Sequence, residues 1–366
     1  MTTLDTPYAL VDADRLDRNA ARLRDHLQAL GVPLRLHVKT SKSVEVANRV
    51  HDGGPITVST LAEAEHFADA GYRDVLYAVG IAPHKLPRVA ALVRRGVTLT
   101  VLLDTLVQAE AVARFAEEEG LRVPALIEID CDGHRGGVVP ADPALVPIGR
   151  ALGGNLAGVL THAGESYFAH TQDALHKAAQ NERDVAVEAA AALRDAGLPC
   201  AIVSVGSTPT AHAATDLSGV TEVRAGNYVF FDLVMAGIGV CSTDDLALSV
   251  VVTVIGHQHD KNWVITDGGW MATSRDRGTQ AQAVDQGYGL VADLDGHLIP
   301  GLLMTGASQE HGILGTRDGG PVPDLPIGTR LRVLPNHACA TAAQHDRYEV
   351  VSASAPPTTW TRLRGW

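Results

Sequence analysis

The chain has 366 residues, 46% of them hydrophobic, enough for one large domain and a smaller one. It carries 30 basic and 42 acidic side chains, and the net charge of −12 is the wrong sign for a main partner that is nucleic acid or an anionic membrane. No window approaches the roughly 20 apolar residues of a membrane span, and the opening MTTLDTPYALVDADRL lacks the basic-then-apolar layout of a signal peptide, so the expected compartment is the cytoplasm.

In chain order, Tyr8–Val11 reads as a strand ahead of a helix over Asp14–Leu30, placed to pair with a C-terminal β domain. From residue 34 to about 225 a short apolar run, a turn and an amphipathic Ala- and Leu-rich segment recur, the pattern of parallel βα units. Eight strands are predicted: Leu34–Lys39, Ile56–Ser59, Val75–Val79, Thr98–Leu103, Ala125–Asp130, Leu156–Thr161, Ala201–Val205 and Thr221–Arg224. Eight such units argue for an α/β TIM (β/α)8 barrel. A doubly wound sheet is disfavoured, because no G-x-G-x-x-G follows the first strand. After about residue 240 the texture changes to a smaller C-terminal β domain, with strands predicted over Leu246–Ile255, Trp263–Thr266, Tyr288–Leu294 and Arg330–Leu334. The expected division is a barrel over 13–240 and a β-rich domain of 1–12 plus 241–366. Cys131, Cys200, Cys241 and Cys339 form no C-x-x-C pair, so neither a disulfide framework nor a zinc knuckle is predicted.

Alternation along Leu34–Lys39 sends Leu34, Leu36 and Val38 to one face and Arg35, His37 and Lys39 to the other, which in a parallel barrel points inward. Lys39 then lies at the C-terminal end of its strand, where barrels of this type place their active sites. A lysine desolvated there loses basicity and becomes an imine-forming nucleophile. Lys42 is the rival, placed at the start of the next helix. The loops after strands seven and eight frequently hold a phosphate, and here they read Val205-Gly206-Ser207-Thr208 and Ala225-Gly226-Asn227-Tyr228. Small residues let backbone N–H groups approach an anion, and Ser207, Thr208 and Tyr228 add hydroxyls. A lysine opposite a phosphate cup suits pyridoxal 5'-phosphate.

These residues, with Thr6-Pro7, Asp12, Asn19 and the run His37-Val38-Lys39-Thr40-Ser41-Lys42, resemble the opening of the D-serine dehydratase and D-threonine aldolase family, fold-type III enzymes of the alanine-racemase-like class. The likeness continues through Glu128-Ile129-Asp130, Arg135-Gly136-Gly137-Val138, Thr161-His162-Ala163-Gly164, Gly206-Ser207-Thr208-Pro209 and Arg224-Ala225-Gly226-Asn227-Tyr228. It implies a barrel with a smaller β domain, a homodimer, and Lys39 as the cofactor-bearing lysine. By the same resemblance Arg135 lies near the cofactor's phenolic oxygen or the substrate, Tyr167 lines the substrate pocket and acts with Lys39 in catalysis, and His162 faces the cofactor. The expected cofactor-binding set is Lys39, His37, Arg135, His162, Gly206, Ser207, Thr208, Gly226, Asn227 and Tyr228.

Near the C terminus, His337 and Cys339 stand two apart in Pro335-Asn336-His337-Ala338-Cys339, and on an extended segment such a pair points the same way and can share one cation. Alone this H-x-C is a weak signal among 16 histidines. The resembled family binds a divalent metal through a His-x-Cys or His-x-Asp pair here, and a thiolate favours zinc over manganese or magnesium. Ser308-Gln309-Glu310-His311-Gly312 also resembles a family motif and is expected to orient ligands or substrate. Together these imply a zinc-assisted dehydratase (ammonia-lyase) of D-3-hydroxy amino acids such as D-serine, D-threonine or D-threo-3-hydroxyaspartate. In that reading Lys39 removes the Cα proton and the metal assists loss of the β-hydroxyl. The alternatives are a retro-aldol cleavage to glycine and an aldehyde, a pyridoxal-phosphate carrier without turnover, and a metal-dependent barrel hydrolase using His37, His134 and His162.

Overall fold

Packing divides the chain into two units, residues 21–226 with 365–366 and residues 4–20 with 227–364, in a computed structural model that describes residues 4–51 and 53–366. Strand β1 (Tyr8–Asp12) leads into helix α1 (Ala13–Ala29), within which the units divide.

The larger unit closes eight parallel strands into a barrel: β2 (Leu34–His37), β3 (Ile56–Val58), β4 (Asp74–Gly80), β5 (Thr98–Leu103), β6 (Ala125–Ile129), β7 (Leu156–Thr161), β8 (Ile202–Val205) and β9 (Glu222–Ala225). The last strand returns to the first with Arg35 opposite Arg224. Helices α2 (Val44–His51), α3 (Leu61–Asp69), α4 (Leu86–Arg94), α5 (Leu106–Glu119), α6 (Leu145–Leu152), α7 (Gln172–Asp195) and α8 (Thr208–Ala213) connect them. Local chemistry sets the helix ends. Thr105 and Gln108 form a reciprocal capping box at the start of α5, which stops at Gly120 in a left-handed conformation, φ 61°. The barrel interior carries a polar layer where Arg35 donates to Glu222 (2.8 Å), to Asp74 (2.7 Å) and to the carbonyl of Ile56 (3.2 Å). This places Arg35 inside, as alternation along its strand requires.

In the second unit β10 (Leu248–Gln258), β11 (Trp263–Thr266), β12 (Leu290–Ala292), β13 (Leu298–Ala307), β14 (Gly312–Thr316) and β15 (Arg330–Leu334) form a continuous ring of pairings, because β10 meets both β15 and β11. A bulge between Val254 and Gly256 lets the long β10 change direction. Val250, Val252, Val254, Val264, Leu302, Met304, Leu314, Leu331 and Val333 form the core of this unit. β1 extends the sheet, antiparallel to β10 and parallel to β16 (Arg347–Val351), and β17 (Thr358–Thr361) is its edge. Strands β13, β14, β16 and β17 were not predicted from sequence; glycines at 301, 306, 312 and 315 break the alternation of β13 and β14.

The fold class is the expected one, a parallel barrel with a separate antiparallel β unit. Residues 227–240 belong with the second unit, ahead of the expected boundary at 240. The reason is their backbone, which is tied into it: Leu233 N–H donates to the Pro335 carbonyl (3.0 Å) and Ala247 N–H to the Phe230 carbonyl (2.8 Å). Among the described residues no helix is long and apolar enough to cross a membrane.

Candidate active site

β2 ends at His37, and residues 38–42 curl into a turn in which Lys42 N–H donates to the Val38 carbonyl at 2.7 Å. Lys39 sits half-buried in that turn, just past the strand end, with its backbone N–H 3.4 Å from His37 Nδ1. Lys42 is held in a left-handed conformation, φ 46°, and its ammonium pairs with the fully buried Glu63 at 2.9 Å. It therefore lies short of α2, whose first residue is Val44, and is committed to a structural ion pair.

Two imidazoles respond to this corner. Burial, then the charges of Lys39 and Arg224, hold His37 well below its ordinary 6.5. His162, in the loop after β7, donates from Nδ1 to the Gly206 carbonyl at 2.9 Å, leaving Nε2 as its lone-pair nitrogen. Burial and then Lys39 push it down to about 3. Both rings are neutral at physiological pH beside cationic side chains. Arg224, at the end of β9, is buried and anchored by Ser204 Oγ (2.8 Å) and the Thr161 carbonyl, and burial lowers its pKa to about 10. Lys39 and Arg224 thus stand beside neutral imidazoles, with Glu182, Glu222 and Glu128 around the guanidinium.

The two loops predicted to cup a phosphate are built differently from expectation. Gly206 has φ 142°, and a Cβ there would stand 2.0 Å from the Arg224 carbonyl oxygen. At Gly226 a Cβ would meet the His37 carbonyl at 2.5 Å. Close approach of neighbouring strands thus demands glycine at both positions. The Gly206 N–H is already occupied, donating to Glu182 at 3.0 Å, and Ser207 Oγ caps α8 by accepting from Thr210 N–H at 3.2 Å. The buried Thr208 hydroxyl has no hydrogen-bond partner among the described residues. An orphaned buried hydroxyl, a lysine at the strand end and neutral imidazoles beside it fit a phosphate-bearing carbonyl cofactor.

Glu182 escaped sequence reading. Its buried carboxylate, on α7, accepts from Ala163 N–H (2.8 Å) as well as from Gly206 N–H, joining the loops after β7 and β8. Burial raises its pKa. The signal was present: Glu182 falls on the stripe Leu175, Ala179, Glu182, Ala186, Ala189, Leu193 that α7 buries.

The loop after β6 turns back on its strand, with Asp130 N–H donating to the Val138 carbonyl at 3.0 Å and Val138 N–H to the Glu128 carbonyl at 3.0 Å. Arg135 is mostly exposed on it, 3.6 Å from Glu128. His134 bonds Glu165 at 2.8 Å and packs on Gly164, where any Cβ would overlap its ring. Tyr167 is half-buried with its ring 6.3 Å from that of His162. The barrel unit thus brings together Lys39, His37 and His162, with Tyr167 alongside, and leaves Arg135 and His134 at the rim.

In the β unit, Asn227 donates to Asp232 (2.6 Å), which also accepts from Ala338 N–H (2.9 Å), and Tyr228 is fully buried. His337 is extended but Cys339 lies in the first turn of the helix over Ala338–Ala342, a departure from the expected extended pair. The two still meet, because the thiol hydrogen-bonds the imidazole. Asp276 takes the Nδ1 hydrogen of His337 at 2.6 Å. Against the cost of burial, Asp276 and Cys339 raise the imidazole to about 11. Imidazole and thiol backed by a carboxylate make a donor set that fits zinc. The Ser308–His311 turn is exposed and serves the backbone, its Ser308 and Gln309 carbonyls accepting from Trp270 and Met271 N–H at 3.0 and 3.1 Å.

Residues 11–234 match the family described as alanine racemase, N-terminal domain, and residues 247–351 the putative serine dehydratase domain. The chain is 57% identical over 376 residues to D-threo-3-hydroxyaspartate dehydratase of Delftia sp. strain HT23, covering 100% of this chain and 99% of that one. The solved structure of that relative matches with a TM-score of 0.98 at 56% identity, covering 100% and 99% of the two chains. A cysteine-to-alanine variant of it, solved in the metal-free form, has the same TM-score, identity and coverage. D-serine dehydratase of Dictyostelium discoideum is 28% identical over 96% of this chain and 94% of its own. D-threonine aldolase from Filomicrobium marinum matches with a TM-score of 0.82 at 27% identity, covering 99% and 96%.

Proposed function

We propose, for a chain that belongs to the family joining an alanine racemase N-terminal domain to a serine dehydratase domain, a pyridoxal-phosphate- and zinc-dependent dehydration of D-3-hydroxy amino acids to a 2-oxo acid and ammonia. D-threo-3-hydroxyaspartate is the preferred substrate in this reading, with D-serine and D-threonine as slower ones. The observation that carries it is end-to-end identity of 57% with a dehydratase of that name. The same relationship sets aside the carrier and hydrolase alternatives.

When bound, the cofactor supplies an electron sink for charge at Cα, and the metal on His337 and Cys339 supplies a Lewis acid for the departing hydroxyl. The chain's own residues do the rest. Lys39 would hold the cofactor at its carbonyl carbon, with loss of water, and once displaced there by the substrate's amine its own free amine would take the Cα proton. His162 presents Nε2 as an acceptor, its ring fixed by the Gly206 carbonyl. The buried hydroxyl of Thr208 is the donor we assign to phosphate, Arg224 adds a fixed positive charge, and Tyr167 lines the substrate side. Zinc is favoured over manganese or magnesium by the thiol. A cytoplasmic homodimer completes the proposal, its association state open to sedimentation analysis.

Incubation with D-threo-3-hydroxyaspartate, D-serine, D-threonine and their L-counterparts, with ammonia, 2-oxo acid and glycine all measured, tests this reading. Equal yields of ammonia and 2-oxo acid from the D-isomers are expected. Glycine without ammonia would make the chain an aldolase, and turnover confined to L-isomers would overturn the stereochemical assignment.

A further inference from the structure

We infer that Asp276 is the positioning residue of the metal pair: its carboxylate holds His337 through Nδ1, so that Nε2 is the nitrogen presented to a metal beside the Cys339 thiol. The inference rests on the metal reading of His337 and Cys339 given above. A carboxylate can only accept, so the 2.6 Å contact fixes a hydrogen on Nδ1 and leaves Nε2 as the nitrogen that can exchange its hydrogen for a metal. Ligand histidines commonly have their second nitrogen bonded in this way, which sets ring orientation and raises the basicity of the ligating nitrogen.

The loop that carries Asp276 is built to keep it there. Ser274, a buried residue in a left-handed conformation at φ 81°, accepts from Asp276 N–H at 3.1 Å, and strain of this kind persists only where the surroundings enforce it. Beyond Asp276 the buried Thr279 hydroxyl donates to Asn336 Oδ1 at 2.6 Å, and Asn336 donates in turn to the Gly287 carbonyl at 2.7 Å. Asn336 immediately precedes His337. On the other side, Thr341, in the helix that carries Cys339, donates to the Thr273 carbonyl at 2.7 Å. The segment holding Asp276 is thus clamped to the residues on both flanks of the metal pair. The His337–Asp276 pair is itself more than a third exposed, where an ion pair adds little stability. Such clamping around a pair of slight energetic value is what orientation of a ligand requires. By contrast Asp293, Asp295 and His297 converge on an exposed turn whose geometry is explained by Asp293 accepting from the backbone N–H groups of Asp295 and His297.

The test is zinc affinity, measured by chelator competition on the full-length, cofactor-loaded protein and on Asp276→Ala, Asp276→Asn, His337→Ala and Cys339→Ala. Wild type is expected to bind one zinc that is lost in the two ligand variants, with affinity falling about 10- to 100-fold in Asp276→Ala and less in Asp276→Asn, whose amide oxygen still accepts. Asp276→Asn also covers a failure of the alanine variant to fold, and thermal unfolding of the zinc-free variants checks that the fold is intact. Nitrogen-15 NMR of zinc-loaded protein should show His337 with hydrogen on Nδ1 and metal on Nε2. Affinity within threefold of wild type in both Asp276 variants, or metal on Nδ1, would overturn the role of Asp276 while leaving the metal pair in place. Zinc binding unchanged in His337→Ala and Cys339→Ala, or absent from wild type, would instead overturn the metal reading itself.

Discussion

Replacing Glu182 by alanine should weaken the barrel more than any surface glutamate could. Its carboxylate is buried and accepts the N–H groups of Ala163 and Gly206, at 2.8 and 3.0 Å. Removing it strands two buried donors at about 1–3 kcal/mol each and leaves a cavity, so a loss of about 3–6 kcal/mol is expected. Glutamine keeps an oxygen in place and should cost little. The pH dependence separates the two variants further. Burial raises the Glu182 pKa above its ordinary 4.5. The folded state therefore holds a proton that the unfolded chain has released, and wild-type stability falls as pH rises from 4.5 through the raised folded value. Glu182→Gln has no such proton, so it should gain on wild type across that window and hold the gain above it. Of the four tryptophans, Trp263, Trp270 and Trp360 lie in the β unit and Trp366, grouped with the barrel, is almost fully exposed, so their fluorescence would report poorly on the barrel. Hydrogen exchange of peptides containing Ala163 and Gly206, at pH 5 and 8, reads the effect directly. Wild-type protection of both amides in Glu182→Ala would refute this reasoning.

Two further outcomes follow from the same loops. Gly206→Ala puts a Cβ 2.0 Å from the Arg224 carbonyl at a φ of 142°, and should cost about 3 kcal/mol or more, seen as loss of soluble protein or a large drop in unfolding midpoint. His162, pushed from 6.5 down to about 3, should show no imidazole titration by NMR above about pH 5 in cofactor-free protein. Because the unfolded chain binds this proton and the folded one does not, His162 makes the fold lose stability as pH falls from 6.5 towards 3.

Much of the architecture was legible because the barrel repeats one pattern. Short apolar runs, alternating with Ala-rich helical stretches, give all eight barrel strands to within about two residues, and alternation along the first of them turns Arg35 and His37 inward. The strands of the β unit were only half visible, since glycines break the alternation of segments such as Gly312–Thr316, which pairs with a hairpin neighbour on one side and with the distant β11 on the other. The site shows the same split. Lys39 and the His337–Cys339 pair stand out as residue types at telling places. Gly206 was noticed for a different reason from the one the backbone gives, because the approach of the Arg224 carbonyl to within 2.0 Å of where a Cβ would stand is invisible in one dimension. Glu182 sat on the buried stripe of α7 and could have been found by asking why a charge interrupts it. Asp276 carries no local signal at all; only the loop's return to Asn336 brings it to His337.

The account turns on Lys39, and the most direct measurement is borohydride reduction of the cofactor-loaded protein followed by tandem mass spectrometry of its peptides. Reduction should fix the cofactor's mass on Lys39, with Lys42, paired at 2.9 Å to Glu63, unmodified. The cofactor's mass on Lys42 or any other lysine, or no modified lysine at all, would contradict the assignment and the chemistry built on it.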